Sequence, residues 1–224
     1  MNTEATLFVV ATPIGNYADI TLRALETLKH VSIIACEDTR ETGLLLKEHA
    51  IVDKKLLSYH AQSGQGREDE IIRLLQEGTN IAVVSDRGTP GISDPGQRLI
   101  QRAIEHGITI APIPGAAAFV TALQASGADT SHFEYLGFIP HKKGRQTLFT
   151  RIVESEHTMI CYESPHRLLK TLEALKDCPK RLIVCREITK THEEFVRGTC
   201  AEVYQEFLNR DKILGEFVLI IDKK

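Results

Sequence analysis

Three short segments combine glycine, proline and small residues in a pattern suited to gripping a small molecule by main-chain groups: Thr12-Pro13-Ile14-Gly15-Asn16, SDRGTPGISDPG at 85–96, and Pro114-Gly115-Ala116-Ala117-Ala118. Proline fixes the backbone and glycine permits close approach or positive φ, so such loops can present N–H and C=O groups to a ligand. Any one of them taken alone reads better as a plain turn. Three of them, each following an apolar run, point to a binding edge. The sequence contains neither a G-x-x-x-x-G-K-[ST] run nor a G-x-G-x-x-G that opens a helix after the first apolar run. The loops therefore suit a nucleoside without phosphates better than a nucleotide.

Charged residues in similar positions are the candidates for proton transfer and anion binding. Glu37, Asp38 and Arg40 directly follow VSIIAC at 31–36, and Glu163, His166 and Arg167 lie in YESPHR at 162–167. The segment 186–199 holds Arg186, Glu187, Lys190, His192, Glu193, Glu194 and Arg197. Each has a plain structural explanation. Asp38 or Thr39 can cap a helix, and Ser164 followed by Pro165 makes a good helix start. Mixed charges usually mark a solvated face. Capping accounts for Ser164 and Pro165 but not for Glu163, His166 or Arg167. PHKKGR at 140–145 is the one compact basic stretch, just beyond Phe138, in a chain of net charge −3. Any contact with a polyanion should thus be local, and this stretch is where it is expected.

These residues need a frame. Short apolar runs at 7–12, 31–36, 56–59, 80–85 and 108–113 alternate with helical spacings such as Leu22, Leu25 and Leu28, the pattern of repeated β-α units and a mostly parallel, doubly wound sheet. Gly78 and Gly107 stand where helix C-caps are wanted. Beyond PGAAA and a helix ending near Gly127, strands are expected at 133–138, 158–162, 181–186 and 216–222, with less regular connections, so a second α/β domain with a mixed sheet is expected. The limits are 1–114 and 115–224, and the seam between two such domains is a favoured ligand position. No apolar run approaches the roughly 18 residues of a membrane span, and the first residues lack a leader pattern, so a cytoplasmic protein is expected. Five scattered cysteines without a C-x-x-C pair, and nine histidines without H-E-x-x-H, argue against disulfides and against a metal.

VVATPIGNYADITLRAL at 9–25, CEDTR at 36–40, SDRGTPGISDPG, YESPHR, REITKTHEEFVRGT at 186–199 and GEFVLII at 215–221 resemble, in order and over nearly the whole chain, the motifs of the tetrapyrrole-methylase superfamily. Within it they are most similar to the bacterial enzymes that methylate a cytidine 2′-hydroxyl in 16S ribosomal RNA. The resemblance implies a two-domain fold, a homodimer, S-adenosylmethionine as cofactor, and 16S rRNA or the small ribosomal subunit as partner. It puts Pro13 and Ile14 beside the cofactor, with Asp86, Gly88 and Thr89 around its methionine and ribose. Ala116 and Ala117 would supply backbone contacts, and Tyr162, Gly215, Glu216 and Phe217 would enclose the adenine. The first domain then carries the substrate side and part of the cofactor site, which the second completes.

Where the family usually reads SDAGTPG this sequence has Arg87, and PGAAA replaces the family's P-G-P-S-A. Family members also commonly extend past the final strand, whereas this sequence stops at Lys224, so part of an RNA-binding surface is expected to be missing. For a displacement on a ribose hydroxyl, alignment supplies most of the rate and a base assists the departing proton. Lys190 or Glu163 is expected to assist the hydroxyl, in a catalytic set with Glu37 and Asp38, while Arg40 and Arg167 hold flanking phosphates. The competing readings are methylation of a tetrapyrrole ring and a non-catalytic RNA-binding protein on the same fold.

Overall fold

The computed structural model describes residues 5–223. The outer limits of the two expected domains, at residues 1 and 224, lie outside them. The chain divides into two compact units, one ending at Ala117 and the other beginning at Ala118.

The first unit holds β1 (Thr6–Val10), α1 (Leu22–His30), β2 (Ile33–Cys36), α2 (Thr39–Glu48), β3 (Lys55–Ser58), α3 (Gln65–Gln76), β4 (Ile81–Val84), α4 (Gln97–Glu105) and β5 (Thr109–Ile113). All pairings are parallel in the order β3-β2-β4-β1-β5. Alternation along β4 shows why the sheet needs cover on both faces. Ile81 and Val83 join a core with Leu7, Ile71 and Leu99, while Ala82 and Val84 join another with Ala24, Leu28 and Leu46. So α3 and α4 lie on one face and α1 and α2 on the other, the doubly wound layering expected from the sequence. Burying a side chain such as Leu7 or Ile34 stabilises the fold by about 2 kcal/mol. After α3, Gly78 (φ 91°) turns left-handed, so its N–H reaches Leu75 O and that of Thr79 reaches Leu74 O; Gly107 (φ 71°) ends α4 in the same way.

The second unit holds α5 (Ala118–Ser126), β6 (Phe133–Phe138), α6 (Arg145–Glu154), β7 (Thr158–Glu163), α7 (Pro165–Leu175), β8 (Arg181–Arg186), β9 (Glu194–Thr199), α8 (Cys200–Leu208) and β10 (Phe217–Ile221). Its sheet runs β6-β7-β10-β8-β9, with β6 and β7 parallel and the rest antiparallel, a mixed sheet as expected. Phe149, Ile152, Leu168, Leu172 and Phe207 pack on one face, and α5 lies against β7, β8 and β10. The end of the charged run 186–199 is a correction: Glu194–Thr199 is not simply a solvated face but the edge strand β9.

Candidate active site

Since β1, β2, β4 and β5 are parallel, the segments leaving their C-terminal ends emerge at one edge, where open α/β sheets bind ligands. Side-chain and main-chain hydrogen bonds lock those segments to one another. Thr12 and Gly88 exchange both main-chain bonds, at 2.8 and 3.1 Å, joining the loop after β1 to the loop after β4. Ser85 Oγ donates to Gly88 O at 3.1 Å and Thr12 Oγ1 to Ser85 O at 3.0 Å. Thr89 Oγ1 donates to Ala116 O at 2.9 Å, tying in the loop after β5. The N–H of Asp38 donates to Asp86 Oδ1 at 2.8 Å, tying in the loop after β2. The spacing needs glycine at two points. A Cβ on Gly115 would stand 2.9 Å from Ala11 Cβ, and Gly88 adopts φ 87° with Ile14 Cγ2 3.4 Å from its missing Cβ.

The sequence-predicted residues Pro13, Ile14, Asp86, Gly88, Thr89, Ala116 and Ala117 therefore fall on one hydrogen-bonded surface, and Glu37 and Asp38 stand on its margin. Burial pushes the Glu37 carboxyl up, as does the neighbouring Asp86, against the opposing pull of His60. Burial also raises Asp86, opposed by the Asp38 N–H. Asp38 behaves oppositely. The Arg40 side chain, 2.5 Å away, and its N–H hold Asp38 down at about 2, so Asp38 stays ionised and caps α2. Arg40 itself is 87% exposed. Arg87 is exposed, and its charge lowers Asp86. His60 was missed from sequence. It follows β3, whose Ser58 pairs with Cys36 of β2, so sheet order alone brings it near Glu37.

In the second unit the expected residues form two separate clusters. Glu163 is 1% exposed and receives Arg167 Nη2 at 2.6 Å, Thr171 Oγ1 at 2.6 Å, Ser164 N–H at 2.8 Å and Arg145 Nη1 at 3.4 Å. A carboxylate so enclosed is an anchor, and the expected role of proton acceptor does not suit it. Arg167 also donates to Ile139 O at 2.8 Å and to Ser164 Oγ at 3.1 Å, so it is committed within the protein and Ser164 provides no side-chain cap. Arg145 donates to Pro140 O at 3.2 Å and Thr171 Oγ1 at 2.7 Å, which removes it from the exposed basic stretch. Tyr162 accepts the Phe119 N–H at 3.1 Å.

The other cluster joins Lys190, Glu187, Gly215 and Glu216. Lys190 Nζ lies 2.9 Å from Glu187 Oε1 and 2.7 Å from Glu216 Oε2, and the Glu216 N–H donates to Glu187 Oε1 at 2.9 Å. Burial alone would raise the Glu187 carboxyl, but the Lys190 hydrogen bond, the Glu216 N–H and the charges of Lys190 and Arg186 together outweigh it, and the net shift is downward. Phe217 is 3% exposed with its ring against Phe207, so any cofactor contact from it would come from the main chain. An open concavity of about 620 Å³ lies elsewhere in this unit, lined by Glu134, Thr150, Arg151, Glu154 and His157. It shares no residue with these clusters.

The loop surface fits the cofactor implied by the sequence. Residues 114–118 present main chain with side chains no larger than methyl beyond Pro114, which suits close approach by a ribose or methionine. The carboxylates of Glu37 and Asp86 suit a ligand carrying a sulfonium and an ammonium group. Among the described residues no cluster of His, Cys, Asp and Glu suits a metal ion.

Comparison with known proteins gives a consistent picture. The model of the tetrapyrrole (corrin/porphyrin) methylases matches residues 6–204. A protein of Synechocystis sp. named ribosomal RNA small subunit methyltransferase I is 48% identical over 220 residues, covering 96% of this chain and 78% of that protein. Its namesakes in Hydrogenobaculum sp. and Escherichia coli O157:H7 are 43% and 44% identical, covering 97% and 99% of this chain and 96% and 79% of theirs. Among solved structures, a diphthine synthase superposes with TM-score 0.76 at 9% identity over 97% of this chain and 90% of that one. The cobalt precorrin-4 methyltransferase of cobalamin biosynthesis gives 0.71 at 14% over 99% and 96%. These two establish the fold alone.

Proposed function

The chain belongs to the tetrapyrrole (corrin/porphyrin) methylase family, and on that premise we propose that it transfers a methyl group from S-adenosylmethionine to the 2′-hydroxyl of a cytidine in the RNA of the small ribosomal subunit. One observation carries the chemistry: a part-buried carboxylate pair, Glu37 and Asp86, at the margin of a surface made from three locked main-chain loops. The substrate is supported by relatives named ribosomal RNA small subunit methyltransferase I, 41–48% identical over nearly the whole chain. The same reading makes it a cytoplasmic homodimer.

Pro13, Ile14, Gly88, Thr89, Ala116 and Ala117 would hold the cofactor, with Asp86 beside its cationic part. When bound, S-adenosylmethionine supplies a methyl group activated by a positive sulfur. The ribose hydroxyl is a poor nucleophile until its proton leaves, and a base whose pKa is raised toward neutrality removes it best. Glu37 is such a base, and one of its carboxylate oxygens takes the proton as the hydroxyl oxygen is methylated. Arg40, exposed at the same margin, offers a cation to a neighbouring phosphate. Lys190 is held by Glu187 and Glu216, which suits ordering the start of β10 more than meeting substrate. Thr12, Ser85 and Thr89 keep the loops preformed, so little ordering is left for the moment of binding.

The test is transfer of labelled methyl to undermethylated small subunits, with free rRNA and a porphyrinogen as parallel substrates. Alkali-resistant dinucleotides from the labelled RNA are expected. Labelling of the porphyrinogen alone would overturn the proposal, and failure to bind S-adenosylmethionine would favour a non-catalytic RNA-binding role.

A further inference from the structure

The end of β6 carries a feature that neither the loops nor the carboxylates use. Regular parallel pairing would set Gly137 opposite Tyr162, but the register shifts after Tyr135 so that Phe138 takes that place. Gly137, at φ 66°, absorbs the extra residue. Such a bulge re-aims the next side chain. Phe138 now packs edge-on against Tyr162, 5.3 Å between centroids, and is still 55% exposed. Its support is rigid, because Tyr162 also meets Tyr135 edge-on at 5.3 Å, Tyr135 stacks on Phe119 at 4.2 Å, and the Phe119 N–H holds the Tyr162 hydroxyl. The loop that follows is clamped as well. Arg167 binds Ile139 O, Arg145 binds Pro140 O, and both arginines rest on buried Glu163. From this clamp His141, Lys142 and Lys143 project exposed, and the two lysines make no ion pair among the described residues.

We infer that Phe138 is a stacking platform for an unpaired base of the RNA substrate, with Lys142 and Lys143 on the phosphates beside it. Stacking on an aromatic face with lysines along the backbone is how unpaired RNA is held when its bases are not read by hydrogen bonds. Local cations on a chain of net charge −3 favour a polyanion over a second copy of the same chain. The inference rests on the RNA reading above and names the surface that would recognise the substrate. It also gives YESPHR a role in positioning that surface.

The chain has no tryptophan, so Phe138→Trp installs a single reporter. Titration of that variant with an unstructured cytidine-rich RNA oligonucleotide should quench that emission. Phe133→Trp, exposed at the other end of β6, should stay unquenched. Phe138→Ala should bind the oligonucleotide about tenfold more weakly, with Phe138→Tyr restoring affinity. Lys142→Ala with Lys143→Ala should reduce the salt slope of binding by about 1.4. Three results would each overturn the inference: unquenched Phe138→Trp at RNA concentrations that saturate by anisotropy, unchanged affinity in Phe138→Ala, or conversion of a dimer to a monomer by Phe138→Ala, which would make the platform a subunit contact. Each can occur while wild-type protein still methylates small subunits, so failure of the platform is separable from failure of the proposed activity.

Discussion

Glu37 and Glu163 are both acidic residues in conspicuous motifs, and their surroundings differ: one is raised by burial beside Asp86, the other is enclosed by two arginines. Burial and Asp86 raise the Glu37 carboxyl. A raised folded-state value means that its contribution to stability is fully present below the ordinary carboxylate range of about 4.3 and is lost as pH rises through the folded value. Glu37→Gln removes that penalty, so the variant should unfold at a higher temperature than wild type near about pH 7, with the difference shrinking toward about pH 4. If Glu37 takes the hydroxyl proton, single-turnover methylation should fall by about 10² or more in the same variant, and the acid limb of the wild-type rate profile should disappear. A near-normal rate would remove Glu37 from the mechanism. Glu163 is an anchor for two mostly buried arginines. Removing one partner of a buried ion pair leaves the others unpaired, so Glu163→Ala should cost about 3 kcal/mol in urea unfolding. A loss below about 1 kcal/mol would mean that the cluster contributes no more than a surface bridge.

At the scale of elements, the site depends on how closely the strand ends approach. Gly115→Ala sets a methyl group against Ala11, with backbone atoms of that residue 3.4 and 3.6 Å away, so the loops after β1 and β5 must part. S-adenosylmethionine affinity by calorimetry should fall at least about tenfold, or about 1.4 kcal/mol. Gly43→Ala, in α2 with nothing within 4 Å of the added carbon, should instead stabilise the protein by about 0.5–1 kcal/mol and leave affinity unchanged. Equal affinity losses in both variants would show that the loop spacing is not what binds the cofactor. Much of this edge was legible in sequence because proline, glycine and apolar runs act locally: the runs around β4 and β8 mark those strands, and the three loops stand where the sheet ends. Long-range locks were not legible. Nothing in the spacing of Arg145, Glu163 and Arg167 says that they share one buried cluster, and His60 reaches Glu37 only because β3 pairs with β2. The edge strand β9 was obscured because an edge strand needs only one protected face. Val196 is buried there while Arg197 is exposed, so the charges hid the strand.

For the whole molecule, the five buried cysteines form a natural set of reporters, because Cys36 belongs to the first unit and Cys161, Cys178, Cys185 and Cys200 to the second. Burial pushes Cys185 and Cys200 up to about 12 and raises Cys36 as well. Alkylation in native buffer therefore waits for each unit to open, and mass mapping of labelled peptides reads the two openings separately. A ligand at 100 times its dissociation constant stabilises the state that binds it by about 2.7 kcal/mol, about a hundredfold in the open population. Cys36 ends β2 directly before Glu37. If the locked loops hold S-adenosylmethionine, labelling of Cys36 should slow by about that factor. Unchanged labelling of Cys36 at saturating cofactor would remove the loop edge as its binding surface. Cys161 precedes Tyr162, so it tests the residues of the second unit that the resemblance assigns to the cofactor in the same sample: equal slowing there would bring the second unit into the binding event, whereas slowing at Cys36 alone would leave Tyr162 to the aromatic support beneath Phe138.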